Sequence, residues 1–133
     1  MRITLDTNVL VRLAIADDPK QTRRAAELLR EAEFVAIPLP VLCEFVWVTT
    51  RVYRRPASEV REAIRRLIAA PNVHVDWPVV EAGLDMLDAG GDFADGVVAV
   101  AGRQRGGTVF ASFDRQVVAL VAAAGGETHL LEA

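Results

Sequence analysis

The sequence predicts an α/β protein built on a mostly parallel sheet. Two observations carry this. Short strand-like runs alternate with longer helical ones along the 133 residues, and that alternation places helices on both faces of a parallel sheet. Acids also stand just after strand-like runs, at Asp6 and Asp114. Ligands in such folds gather outside the carboxyl ends of the strands.

The elements follow in order. Ile3, Thr4 and Leu5 suit a strand over Arg2–Leu5. An apolar-periodic stretch begins at once and reads as a helix over Thr7–Ile15, closed near Asp17, Asp18 and Pro19. Ala25, Leu28, Leu29 and Ala32 share one stripe, so Lys20–Ala32 reads as an amphipathic helix. Phe34–Ile37 is a short strand-like run. Pro40 opens a long apolar helix from Val41 to about Tyr53. Ser58 is a favoured N-cap type for a helix over Val60–Ala69, stopped by Pro71-Asn72. Val73–Val75 reads as a strand. Pro78–Asp88 reads as a helix ended by Gly90-Gly91, and Phe93–Arg105 as one ended by Gly106-Gly107. Thr108–Ala111 is a strand, Asp114–Ala124 a helix, and Glu127–Leu130 a final strand. No repeat or low-complexity linker interrupts this, which predicts one domain over residues 1–133.

Composition narrows the class. Hydrophobic residues make up 52% of the chain, which argues against disorder. Cys43 is the only cysteine, so no intramolecular disulfide forms and a zinc site built on cysteine is not expected. That fits a reducing compartment and a cytoplasmic protein. MRITLDTN does not read as a signal peptide. The apolar stretch from Phe34 to Thr50 is broken by two prolines and Glu44, which argues against a membrane span. No GK[ST] occurs, so a P-loop is excluded. The net charge of −3 does not advertise nucleic-acid binding, but its distribution is uneven. Arg51, Arg54, Arg55, Arg61, Arg65 and Arg66 cluster, and Arg103 and Arg105 form a second basic spot. Their plain reading is a solvated helix face. Arginine also grips phosphate in a bidentate way.

Four acids stand out. Asp6 and Asp114 follow strands. Asp95 lies in the first turn of a helix, in GGDFADGVVAVA. Glu44 is isolated in PVLCEFVWVTT, where burial of a charge would need compensation. Read singly, Asp6, Asp92 or Asp95, and Asp114 cap helices, and Glu44 is a solvated helix position. Read jointly, converging carboxylates repel and need a counter-charge. Lys20 is the only lysine and lies near none of them in sequence. An oxygen-preferring divalent cation, Mg²⁺ or Mn²⁺, would meet the need.

DTNVL after an initial strand, Glu44 on an apolar helix, DFADGVVAVA, and SFD after a late strand together resemble the PIN-domain family. Within it, the chain is similar to VapC-type toxins of bacterial toxin–antitoxin pairs, over nearly its full length from Asp6 to Asp114. The resemblance implies a three-layer α/β/α fold with a central, mostly parallel sheet of about five strands. It implies a metal-dependent endoribonuclease that cleaves single-stranded or loop regions of RNA and leaves a 5′-phosphate and a 3′-hydroxyl. Asp6, Glu44 and Asp95 match the family's core acids, and Asp114 its fourth. Asp6, Asp95 and Asp114 would hold Mg²⁺ or Mn²⁺. Asp92 matches an accessory acid, while Asn8 and Ser112 match polar residues that orient the acids. Arg51, Arg54, Arg55, Arg103 and Arg105 become candidates for contacting RNA phosphates. The implied partners are a cognate VapB-type antitoxin and a second copy in a homodimer. The apolar groove for the antitoxin is assigned to helices Lys20–Ala32 and Val41–Tyr53. One departure is Gly96, where related toxins carry Ala; glycine in the first turn weakens the helix by roughly 1 kcal/mol.

The remaining conspicuous residues read plainly. His74 and His129 share no ligand spacing. Trp47 and Trp77 read as packing residues, and Cys43 as a buried small apolar one. Three other functions compete with this reading. A phosphotransfer enzyme of haloacid-dehalogenase type wants an acid two residues after Asp6, where Asn8 stands, and a late lysine, which is missing. A housekeeping PIN nuclease of RNA maturation keeps the same chemistry. A non-catalytic binding module keeps only the fold, and the full acid set argues against it.

Overall fold

The computed structural model describes residues 1–133. Strand β1 (Arg2–Thr4) passes through Leu5 to Asp6, which stays extended and takes the Thr7 backbone N–H on Oδ1 at 2.8 Å. That contact opens α1 (Thr7–Ala14). Helix α2 (Pro19–Glu31) starts by the same device: Asp18 accepts the Gln21 N–H, and Pro19 brings its preset φ to the first turn. Thr22 ties the two helices, its hydroxyl donating to the Arg12 carbonyl at 2.9 Å. Next come β2 (Phe34–Ala36), α3 (Leu39–Trp47), α4 (Ala57–Ile68) and β3 (Val73–His74). Helices α5 (Trp77–Asp88) and α6 (Phe93–Gln104) follow, then β4 (Val109–Ser112), α7 (Arg115–Ala123) and β5 (Glu127–Leu130). The mixture of helices and parallel strands is the expected one, and the boundaries fall close to those expected.

The chain packs as two units, residues 1–76 and 77–133. In the first, β1, β2 and β3 form a parallel sheet in that order, with Ile3 beside Val35 and Val35 beside Val73. Val35 and Val73 are buried. On the other face, the Arg2 guanidinium lies 4.1 Å over the Phe34 ring, and that ring stacks on His74 at 3.9 Å. Asn72 sits just before β3. Its side-chain amide donates to the carbonyls of Leu29 and Ala32, both at 2.8 Å, and so satisfies orphan acceptors at the end of α2. In the second unit, β4 and β5 pair in parallel from Val109↔Glu127 to Ser112↔Leu130. The five strands therefore form a three-stranded and a two-stranded sheet rather than one expected central sheet. The division follows the two units, each of which carries its own ladder.

Four local expectations are corrected. The long helix from Val41 stops being α-helical after Trp47 and runs as a π-helical turn over Val48–Val52. Thr49 and Thr50 explain it. Their hydroxyls donate back to the Phe45 and Val46 carbonyls at 2.7 and 2.6 Å, and such back-bonding disturbs the regular ladder. Helix α4 begins at Ala57 after Pro56, so Ser58 lies inside the first turn and is not the N-cap. Proline's fixed φ starts the helix without a side-chain cap. Trp47 and Trp77 are not packing residues: they are 57% and 46% exposed. Cys43 is half-buried rather than buried. No helix is long and apolar enough to cross a membrane.

The π turn ends at a strained residue. Tyr53 donates its N–H to the Val48 carbonyl and Arg55 to that of Thr49, with Arg54 between them at φ 55°. This left-handed stop is a glycine position in most helices, and a non-glycine residue there costs of order 1–3 kcal/mol. Arg54→Gly should therefore raise stability by about 1 kcal/mol, after the entropy that glycine adds to the unfolded chain. A shift of the urea midpoint to higher concentration checks this.

Candidate active site

The second unit gathers three of the acids at helix starts. Asp92 precedes α6 in extended conformation, without capping the helix through its side chain. Asp95 follows in the first turn and is half-buried. Asp114 precedes α7, where its Oδ1 accepts the backbone N–H groups of Gln116 and Val117 at 3.0 and 3.2 Å. Ser112 holds the approach to this turn, its Oγ accepting the Asp114 N–H at 3.0 Å. This contact is to the Asp114 backbone rather than to its carboxylate.

Asp95 feels this setting. Its carboxyl is pushed above its ordinary value, first by burial, then by the charges of Asp92 and Asp114. The three carboxylates are therefore electrostatic neighbours. Burial and like charge both penalise the ionised form.

Glycines explain how Asp95 reaches its place. A Cβ on Gly96 would lie 2.3 Å from the Ala82 carbonyl oxygen on α5, and one on Gly83 would lie 2.6 Å from the Phe93 ring. Helices α5 and α6 touch backbone to backbone there. Gly96 is thus a packing requirement, and this outweighs its poor helix propensity.

The first unit places Asp6, Asn8 and Glu44 differently. Asp6 caps α1 and is exposed. Its hydrogen bond comes from Thr7, not from Asn8. Asn8 instead lines an open groove with Val9 and Arg12 of α1 and with Lys20, Gln21 and Arg24 of α2. Lys20 and Arg24 bring positive charge to this groove, with Arg24 also paired to Glu27 at 2.7 Å. They stand four apart on α2, as Asn8 and Arg12 do on α1. Glu44 is exposed on α3, so it needs no compensation for burial. Arg51, Arg54 and Arg55 are exposed beyond it, with Arg55 paired to Glu59 at 3.3 Å. Arg103 and Arg105 are exposed near the end of α6, where Arg103 also lines a cavity of about 260 Å³ with Glu81 and Asp85.

The donor chemistry at Asp92, Asp95 and Asp114 suits a hard divalent cation: only carboxylate oxygens, repelling one another. Within neither unit do three His, Cys, Asp or Glu side chains already stand at ligating distance of one point. Magnesium is commonly held by one or two carboxylates and its own waters, so the set fits that kind of binding.

A PIN-domain family model matches residues 3–123. The chain belongs to the PIN-domain family. The match takes in every acid of the expected set and runs across both units. PIN domains are in general nucleases, mostly acting on RNA, and in general depend on divalent metal. No curated protein matches the chain.

Two outcomes follow for this PIN domain. Above both its folded and unfolded pKa values, Asp95 is ionised in either state and repelled only when folded. Its contribution is thus least unfavourable below 3.8 and worsens as pH rises through the raised folded value. Asp95→Asn should melt higher than the parent at pH 7, with the gain fading below about pH 4; melting curves across that range check it. Gly96→Ala should lose roughly 1–2 kcal/mol despite better helix propensity, because overpacking outweighs it. Denaturant titration would reveal the loss.

Proposed function

We propose that this PIN domain is a metal-dependent endoribonuclease that cuts single-stranded or loop RNA and serves as the toxin of a VapBC-type toxin–antitoxin pair. The observation that carries the nuclease reading is the raised Asp95 carboxyl, with Asp92 and Asp114 as its charged neighbours. A protein keeps such a repulsive cluster at a cost in stability, and perturbed groups of this kind concentrate at functional sites. Asp95 and Asp114 would hold Mg²⁺ or Mn²⁺, and the motif resemblance adds Asp6 as a ligand and Glu44 to the acidic set. When bound, the cation would lower the pKa of water and offset the charge of a phosphodiester.

The chain's own residues have separate tasks in this reading. Asp114 is held by Ser112 and by the first turn of α7, so its position is fixed before substrate arrives. Asp92 raises the basicity of Asp95, which strengthens that carboxylate as a ligand and as a proton acceptor. Arg51, Arg54, Arg55, Arg103 and Arg105 are proposed to meet phosphates. The single-domain reading takes both units as one PIN domain.

The toxin reading rests on the motif resemblance and on one further feature. A cavity of about 240 Å³ in the first unit is lined mainly by apolar residues, among them Leu10, Leu13, Phe45, Val60 and Leu67. It draws on α1 and α4 more than on the two helices first assigned to the antitoxin groove. A VapB-type antitoxin would place an apolar segment there. A homodimer belongs to the same proposal.

The test is cleavage of a panel of single-stranded and structured RNAs by the purified chain with Mg²⁺ or Mn²⁺. Cutting should stop with EDTA and fall by about a hundredfold or more in Asp95→Asn. Cutting that survives in the variant overturns the assignment. Growth arrest on expression in a bacterial host, relieved by Asp95→Asn, would support the toxin role.

A further inference from the structure

We propose that Trp47 and Arg54 form a landing edge for single-stranded RNA next to Glu44, with Trp47 stacking on a base and Arg54 gripping a phosphate. The proposal rests on the ribonuclease reading above; it adds Trp47, which that reading leaves without a task, and places the phosphate contact of Arg54 beside it.

Trp47 is the last residue of α3 and is 57% exposed. It lies three positions after Glu44, so the two exposed side chains are neighbours on one helix face. The turn that carries Trp47 is held firmly. The Thr50 hydroxyl donates to the Val46 carbonyl, and Thr49, 1% exposed, donates to that of Phe45. The π-helical turn Val48–Val52 begins immediately afterwards, and π turns inside helices recur at functional sites.

Charge identifies the occupant. Arg51, Arg54 and Arg55 follow within eight positions of Trp47. Arg54 holds the left-handed stop of the turn at φ 55°, where glycine would sit without strain. An arginine kept there against its backbone preference points to a use for its guanidinium. Arginines interleaved with an exposed aromatic ring match a phosphate chain carrying bases. Base stacking tolerates any sequence because every base presents a π face.

The experiment uses the full chain carrying Asp95→Asn, so that RNA is bound without being cut, and Trp77→Phe, so that Trp47 alone reports. The probe is a short oligouridine, which forms no stable helix. Its addition should quench Trp47 emission. Trp47→Ala, followed by filter binding, should weaken affinity by about five- to a hundredfold, with Trp47→Phe restoring most of it. Arg54→Gly should weaken binding several-fold and flatten its salt dependence, while stabilising the fold. With Asp95 restored, Trp47→Ala should raise KM more than it lowers kcat.

Trp47→Ala that binds and cuts RNA like its parent overturns the proposal and leaves the ribonuclease reading standing. Unchanged RNA affinity with a loss of dimer in sedimentation also overturns it, because the face is then a self-association surface. A parent chain that neither binds nor cuts RNA removes the ribonuclease reading, and the proposal falls with it. Should Trp47→Ala fail to fold, the quenching and the Trp47→Phe affinity still decide: no quenching with oligouridine bound overturns the proposal.

Discussion

Helices α5 and α6 meet where neither can accept one more methyl group. Gly96 faces the Ala82 carbonyl, and Gly83 faces the Phe93 ring. Phe93 is buried to 1% exposure as the first residue of α6. The start of α6 is thereby fixed in depth as well as direction. Asp95, two residues on, inherits that depth. Its half-burial follows from the packing beside it, and the raised pKa follows from the half-burial before any neighbouring charge is considered. Backbone contact between two helices thus becomes an electrostatic property of one carboxyl group.

The acids serve the fold and the proposed chemistry at once. Asp6 and Asp114 are true helix caps, so the plain reading of each is correct as far as it goes. Asp114 uses Oδ1 for the helix, which leaves Oδ2 for anything else. Asp92 occupies a cap position without capping.

Much of this was legible because the signals are local. Asp6 announces α1 through cap chemistry, Asp17, Asp18 and Pro19 mark the break before α2, and the glycine pairs mark helix stops that the structure realises at Gly90 and Gly106, both with positive φ. The β5 range was legible to the residue. What the sequence concealed depends on contacts between distant positions. Nothing in DFADGVV says that Gly96 faces Ala82, since that requires knowing how α5 crosses α6. The exposure of Trp47 was hidden for a similar reason. A tryptophan in an apolar run reads as core until the face of the helix is known. The π turn could have been suspected from consecutive threonines, whose hydroxyls compete for backbone carbonyls. The split of five strands between two ladders has no counterpart in any local pattern.

Asn72 gives the first unit an order of events. The end of α2 has carbonyls that no residue of the helix itself can satisfy, and their donor arrives 40 and 43 positions later. Helix and donor are separated by β2, α3 and α4. The last turn of α2 therefore has these donors only when the segment before β3 lies alongside it. Closing that loop costs entropy that only the finished sheet repays. Completion of α2 is thereby coupled to the docking of β3 through one side chain.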